Sequence, residues 1–126
     1  MKVVAVKFDN DTNLYYYEDN KFDCRLNVTI VADTARGYQF GRVVNILEDY
    51  DSKLDNEYDI IRISTKKDYN QYLTNMKDAN IAISKCKDLI EEFGLSMSII
   101  DANYNLDRSQ LLFRFVADSR VDFLQH

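Results

Sequence analysis

The chain has almost none of the residues from which catalytic and metal sites are usually built. Its 126 residues include one histidine, His126 at the very end, and two cysteines, Cys24 and Cys86, which form no CxxC pair. A terminal histidine is a poor general base, and isolated cysteines favour reduced thiols over a disulfide or a shared metal. There is no P-loop, no dinucleotide-binding glycine fingerprint and no catalytic triad order. The sequence therefore predicts a protein that is not an enzyme.

Long apolar runs and an excess of basic residues are absent as well. No apolar stretch approaches the length of a membrane span, and the first residues are too few and too charged for a signal peptide. The sequence therefore predicts a cytoplasmic protein without membrane insertion. With 16 basic and 21 acidic residues, the formal net charge is -5. A general nucleic-acid binder usually carries a basic face, so only a local basic patch could bind nucleic acid here.

Up to Ser64 the pattern is typical of β-strands. Five short segments rich in β-branched and aromatic residues alternate with turn clusters, at residues 2–8, 14–17, 27–33, 38–47 and 58–63. Gly37 lies where a hairpin loop needs a positive φ. These features predict that residues 1–64 form a small antiparallel sheet that curls into a barrel-like lobe.

Beyond Ser64 the apolar spacing changes to alternating steps of three and four, which indicates one long α-helix. Thr65 and Asp68 resemble a capping box, and Phe93-Gly94-Leu95 fits a helix closed by a C′ glycine. Such a helix of about 28 residues is roughly 42 Å long. Either the following strands cover its apolar stripe or part of the stripe contacts a partner. The stripe comprises Tyr69, Tyr72, Met76, Ala79, Ile83, Cys86, Ile90 and Phe93.

A β-hairpin with a loop at residues 105–109 is predicted after the helix. Strict alternation would place Met97, Ile99 and Asp101 on one face of its first strand and Ser98, Ile100 and Ala102 on the other. One face of the return strand comprises Leu111, Phe113, Phe115 and Ala117. Asp118 can cap a further helix from Arg120, which reaches the end of the chain after barely a turn. The prediction is an α+β fold in which an α-β-β-α lobe over residues 65–126 is truncated.

Several side chains are candidate contacts for a protein partner or a nucleic acid. Arginines could grip phosphate or acidic groups, although solvated arginines beside structurally required glycines are an alternative. Tyr15, Tyr16 and Tyr17 could stack on bases, or could form an edge strand with one exposed tyrosine. The acidic and basic groups near the C-terminus could cap a helix and form a weak ion pair, or bridge to a partner. The candidates are Arg36, Arg42, Arg62, Phe113, Phe115, Asp118, Arg120 and Asp122.

Three segments, in colinear order, resemble one known family. Residues 34–44 match T-x-R-G-x-x-x-G-x-V-V, residues 107–123 match D-x-S-x-L-x-F-x-F-x-A-D-x-R-V-D-F, and residues 61–68 resemble the strand-to-helix step between them. These motifs resemble the bacterial YaaT-like (RicT-like) proteins, which carry the polymerase-suppressor (PSP) C-terminal domain. Leu124 stands where that family usually has arginine.

The resemblance implies a regulatory, scaffolding subunit that joins YmcA-like and YlbF-like proteins in a complex influencing RNA processing and sporulation. The iron-sulfur ligands of the family lie in a cysteine-rich segment beyond its last motif, and neither Cys24 nor Cys86 matches them. No cofactor is therefore expected in this chain. The alternative function is direct binding of RNA or single-stranded DNA through Arg36, Arg42, Arg62 and the tyrosines. Self-association is a further expectation, because the face bearing Phe113 and Phe115 needs a cover.

Overall fold

The computed structural model describes residues 1–9 and 11–117. They form an α+β fold, as the sequence predicts, in which a sheet, a helix and a hairpin follow one another along the chain. The elements are β1 (Val3–Phe8), β2 (Tyr15–Glu18), β3 (Thr29–Thr34), β4 (Gly37–Leu47), β5 (Ile60–Ile63), α1 (Lys66–Glu92), β6 (Met97–Tyr104) and β7 (Leu111–Ala117).

The first five strands form one antiparallel sheet in the order β2-β1-β4-β3-β5. The sheet curls into a half-barrel, which confirms the predicted barrel-like lobe. Register shifts at Ala5/Val6 and at Val31/Ala32 interrupt two of the strand pairs. Such bulges add local twist and bend a strand, which helps a small sheet to curl. Gly37 opens β4 with a φ of +89°, as its place in the hairpin predicts.

The half-barrel has one apolar core cluster, to which β1–β5 all contribute. It contains Val4, Val6, Phe8, Tyr17, Cys24, Ile30, Ala32, Val43 and Ile60. The Tyr17 hydroxyl donates a hydrogen bond of 2.8 Å to the carbonyl of Asp33, so its one polar atom is satisfied within an apolar environment. Tyr15 and Tyr16 stay exposed. This strand therefore has one core tyrosine and two outer ones, and the three do not form a continuous stacking platform.

Both ends of α1 carry the caps that the sequence predicts. Asp68 donates its backbone N–H to the Thr65 hydroxyl at 3.1 Å and accepts the Thr65 N–H at 2.9 Å, which completes the capping box. At the other end, the Gly94 N–H donates to the carbonyl of Glu91 and the Leu95 N–H to that of Ile90, at 3.1 and 3.0 Å. This pair of bonds is a Schellman motif.

The C-terminal hairpin packs on α1 through β6. A bulge lies between Ile99 and Asp101, so that Ile99 pairs with Phe115 and Ala102 pairs with Phe113. Ile99 and Ala102 are therefore on one face and both are buried. The prediction of strict alternation is wrong here, because the extra residue at the bulge changes the face on which later side chains lie. The predicted face of the return strand is confirmed, since Phe113 and Phe115 share it.

The predicted C-terminal helix, with Asp118, Arg120 and Asp122, lies outside the described residues, as does His126. Within the described part of the chain, no helix is both long enough and apolar enough to cross a membrane. Cys24 and Cys86 are free thiols, in agreement with the reduced state favoured by their spacing. Burial raises the pKa of the Cys24 thiol to about 11, so this cysteine is unreactive at neutral pH.

Candidate functional site

A cavity of about 610 Å³ lies where the half-barrel, α1 and β6 meet. We call it the interlobe cavity. The half-barrel contributes Phe8, Phe40 and the turn that carries Arg36, α1 contributes Ile83, and the edge of β6 contributes Ile100. This volume is within the range typical of small-ligand sites, and boundaries between packed units are common places for them.

A fully buried asparagine holds the three walls of the interlobe cavity together. The Asn105 side-chain amide donates to the carbonyl of Arg36 at 2.9 Å and to the Ser109 hydroxyl at 2.7 Å, and its oxygen accepts from the Gln110 N–H at 2.9 Å. From α1, the Asn75 amide donates to the Asn105 carbonyl at 3.2 Å. Half-barrel, helix and hairpin are therefore joined by one buried polar network.

Sequence reasoning missed this network. Residues 105–109 carry only the signal of a polar loop, and Asn75 lies outside the apolar stripe of α1. An asparagine in a loop or on a polar helix position is most often exposed. Its burial becomes visible only when the loop is placed against the Arg36 turn, 69 positions earlier in the chain.

Aromatic rings from the half-barrel and α1 form one side of the interlobe cavity. Phe40 stacks on Tyr72 with ring centroids 4.3 Å apart and planes 19° from parallel, and Tyr69 lies 6.1 Å from Phe40. The Tyr72 hydroxyl donates to the carboxylate of Asp9. Burial, together with this carboxylate, raises the pKa of Tyr72. Tyr72 therefore remains protonated at neutral pH and keeps its hydrogen bond to Asp9.

The charged side chains of the interlobe cavity differ in how well they are paired. Asp11 accepts the Tyr15 hydroxyl at 2.5 Å, and Asp101 accepts both Arg114 Nε, at 2.8 Å, and Arg114 Nη2. Arg36, by contrast, has buried Nε and Nη2 atoms without a hydrogen-bond partner. Arg36 is thus an unsatisfied cation beside several engaged carboxylates.

The structure does not bring the three predicted arginines into one site. Arg36 lines the interlobe cavity. Arg42 is exposed on β4 and donates from Nη1 to the carbonyl of Asn27 at 2.6 Å. Arg62 makes two hydrogen bonds to Asp68, at 2.9 and 2.8 Å, beside a smaller cavity of about 230 Å³. Arg42 and Arg62 are therefore engaged within the chain, outside the interlobe cavity.

Phe113 and Phe115 share one face of β7 and are incompletely buried. Their rings are stacked with centroids 6.1 Å apart, Phe113 is half-buried and Phe115 is exposed. The end of α1 is connected directly to β6, whose first residues pair with the end of β7. Exposed apolar side chains therefore lie at the end of α1, in the following turn and on the adjoining hairpin, and we call this set the apolar end surface: Leu89, Phe93, Leu95 and Phe115. Phe93 is the most exposed of them, at 67%.

Residues 1–9 and 11–117 contain no group of three or more histidine, cysteine, aspartate or glutamate side chains placed to hold a metal ion. Of the predicted candidates in these residues, Arg36 lines the interlobe cavity, Phe113 and Phe115 share a face of β7, and Arg42 and Arg62 lie at neither place.

Comparison with known proteins identifies relatives over nearly the whole chain. Residues 58–125 match the PSP1 C-terminal conserved region. The stage 0 sporulation protein YaaT of Bacillus subtilis is 30% identical over 128 residues, covering 96% of this chain and 45% of YaaT. An uncharacterised protein of Schizosaccharomyces pombe is 26% identical over 141 residues, covering 88% of this chain and 19% of that protein. The chain thus spans less than half the length of either relative. No solved structure matches it significantly.

Proposed function

Since this chain belongs to the PSP1 C-terminal family and resembles YaaT over most of its length, we propose that it is a non-catalytic scaffolding subunit that regulates RNA processing in the cytoplasm. By its resemblance to YaaT-like proteins, its partners would be YmcA-like and YlbF-like proteins. A role in sporulation would follow from the similarity to the stage 0 sporulation protein YaaT.

The observation that carries this proposal is the apolar end surface. Phe93 is 67% exposed, Leu89 is 51% exposed and Phe115 is 43% exposed. Single exposed apolar residues are ordinary, but a set gathered at one end of a molecule is typical of a protein contact. Aromatic side chains such as Phe93 and Phe115 are enriched at the centres of interfaces.

The shape of the apolar end surface also supports helical partners. The end of a helix lies beside a two-stranded sheet that has no further strand among the described residues. An amphipathic helix can lay its apolar face against such a surface with anchors at helical spacing. Small helical proteins of the YmcA-like and YlbF-like kinds are therefore suitable partners.

The proposal is tested by titrating this chain with separately purified YmcA-like and YlbF-like proteins from the same genome, followed by calorimetry. We expect binding, and we expect Phe93→Asp to weaken it at least about tenfold, because a charge would enter the centre of the contact. Leu26→Asp is the matched control, since Leu26 is 56% exposed on a loop of the half-barrel. Parent-like affinity for the Phe93 variant, or no binding by the parent, would reject the apolar end surface as the contact.

The second candidate, direct binding of RNA or single-stranded DNA, has one specific support. Tyr69 is exposed beside the Phe40–Tyr72 stack, and Arg42 is close enough to oppose the rise in the Tyr72 pKa. Exposed rings next to an arginine are the usual elements of a single-strand site. The net charge of -5 opposes such binding.

We therefore expect weak binding to generic RNA at physiological salt in a filter-binding titration. Arg42→Ala should weaken it further if the Tyr69 surface is responsible, whereas Arg25→Ala, on an exposed loop, should not. Submicromolar affinity that depends on Arg42 would favour this candidate over the scaffolding role.

A further inference from the structure

Among the described residues that line the interlobe cavity, Arg36 is the charged side chain whose hydrogen bonding is incomplete. Its Nε and Nη2 atoms are buried and have no hydrogen-bond partner. The carboxylates of the cavity are engaged by Tyr72, Tyr15 and Arg114. A buried donor without an acceptor costs about 1–3 kcal/mol. A ligand acceptor that reaches these nitrogens would recover that cost.

Nε and Nη2 form the free edge of the Arg36 guanidinium, and their geometry determines which acceptor fits. Nε–H and one Nη–H of an arginine lie in one plane and point the same way, so they match the two oxygens of a carboxylate. A phosphate has the same spacing of oxygens but carries more negative charge. That charge would face Asp9, Asp11 and Asp101, which line the same cavity. Electrostatic repulsion therefore favours a carboxylate over a phosphate.

The same carboxylates favour a ligand that also carries a positive charge. The hydrogen bonds from Arg114 lower the pKa of Asp101, and the charge of Arg36 contributes to the same shift. Hydrogen bonding to Asp11 raises the pKa of Tyr15, and Arg36 opposes that rise. Arg36 is thus electrostatically close to Asp101 and to Tyr15, which is the hydrogen-bond partner of Asp11. An ammonium placed beside them would balance the negative charge that a ligand carboxylate adds.

Apolar walls supply the remaining contact surface. Phe8, Ile83 and Ile100 line the cavity at its half-barrel, helix and hairpin sides. A cavity of about 610 Å³ with apolar walls and a few polar groups suits a small organic molecule with an apolar body.

We propose that the interlobe cavity binds a small zwitterion with an apolar body, as in an α-amino acid with an aromatic or branched side chain. The ligand carboxylate would pair with the free edge of Arg36, and its ammonium would lie beside Asp11 and Asp101. Its side chain would pack against Phe8 and Ile83. Nε and Nη2 of Arg36 are buried in the free chain, so this pairing requires the guanidinium to turn towards the cavity. This site is independent of the proposed scaffolding contact at the other end of α1.

Four probes with the same phenyl group show which charged groups of the ligand are needed for binding: L-phenylalanine, 3-phenylpropanoate, phenethylamine and phenyl phosphate. Titration of the whole chain, followed by amide chemical shifts, should show L-phenylalanine binding at least about tenfold more tightly than each of the others. The shifts should concentrate on the Arg36 turn and residues 100–104. Equal or tighter binding of the acid, the amine or the phosphate would overturn the zwitterion assignment, as would no binding of L-phenylalanine.

A substitution at Arg36 tests the recognition directly. Arg36→Gln should reduce the affinity for L-phenylalanine at least about tenfold, because the bidentate pair with the carboxylate is lost. Arg25→Gln, an exposed arginine elsewhere on the half-barrel, should leave the affinity unchanged. Arg36→Gln should also fold normally, since it removes unsatisfied donors, and its unfolding temperature should equal or exceed that of the parent. Parent-like affinity in a folded Arg36→Gln variant would overturn the proposal.

Discussion

At the scale of single residues, Asn105 shows how one polar side chain can organise a small protein. It is fully buried, and its amide joins the Arg36 carbonyl to the Ser109 hydroxyl. Removing the side chain would leave the Arg36 carbonyl and the Gln110 N–H without their partners. Each unsatisfied buried group costs about 1–3 kcal/mol, so the network outweighs a typical surface contact.

We predict that Asn105→Ala lowers the free energy of unfolding by about 2–4 kcal/mol, measured by urea denaturation. Asn70→Ala on the exposed face of α1 is the control, and its effect should stay within about 0.5 kcal/mol. A loss at Asn105 no larger than that at Asn70 would mean that water replaces the network without cost.

Asp68 is a second residue that stabilises the fold, because it caps α1 and pairs with Arg62 on β5. Its two hydrogen bonds from Arg62, with the Thr65 cap, lower its pKa from 3.8 to about 2, and burial opposes the shift only in part. A lowered pKa in the folded state means that the carboxylate stabilises the fold above pH 4 and loses this contribution as the pH falls towards 2.

We predict that the parent loses about 1–2 kcal/mol more stability than Asp68→Asn between neutral pH and about pH 2, measured by urea denaturation at each pH. This loss of stability is smaller than the pKa shift of Asp68 alone would imply. The reason is that the Arg62 side chain is 47% exposed, so solvent screens its charge. Asp55→Asn, in an exposed loop, should follow the pH profile of the parent. Identical profiles for the Asp68 variant and the parent would contradict the prediction.

At the scale of elements, the half-barrel depends on the close approach of β1 and β4. Gly41 pairs with Phe8, and a Cβ at Gly41 would lie 2.7 Å from Val6 Cγ1 and 2.8 Å from the Phe8 ring. Both neighbours belong to the core, where displaced side chains have little room to move.

We predict that Gly41→Ala costs about 1–3 kcal/mol and lowers the thermal unfolding midpoint by several degrees, because the added methyl group overpacks the core. Gly94→Ala is the comparison, since no atom lies within 4 Å of its added methyl group. That change should cost only about 1 kcal/mol, from the positive φ at the end of α1. A Gly41 variant as stable as the parent would show that Val6 and Phe8 can move aside.

At the scale of the whole molecule, large apolar side chains are exposed on the half-barrel, on α1 and on the hairpin. Several gather at the apolar end surface, where β7 also forms an unpaired sheet edge within the described residues. Exposed apolar area and a free strand edge both favour association between copies of a chain.

We predict that the isolated chain self-associates, with an average mass in light scattering that rises with concentration. Val116→Lys should reduce this rise, because a charge on an edge strand opposes pairing and Val116 is 51% exposed. Leu14→Lys, on the opposite lobe, should not reduce it. A strictly monomeric parent over the whole concentration range would contradict the expectation.

Patterns carried by near neighbours in the sequence determined much of the fold. The approximate positions of the strands, the helix with its caps at Thr65 and Gly94, and the shared face of Phe113 and Phe115 were all predictable. Each depends on residues within a few positions of one another, so the local pattern contains the information needed to predict it. Of the candidate residues that the structure describes, only Arg36 lines the interlobe cavity.

Tertiary structure alone decided the burial of Asn75 and Asn105, the bulge at Ile100 and the separation of Arg36 from Arg62. Asn105 contacts Arg36 across 69 positions and Asn75 across 30. Whether a polar group is buried, and whether an arginine has a partner, depends on which distant segment packs against it. No pattern of neighbouring residues specifies that choice. The physical reason is that hydrogen-bond satisfaction in a folded chain is settled by long-range packing, whereas secondary structure depends largely on local spacing.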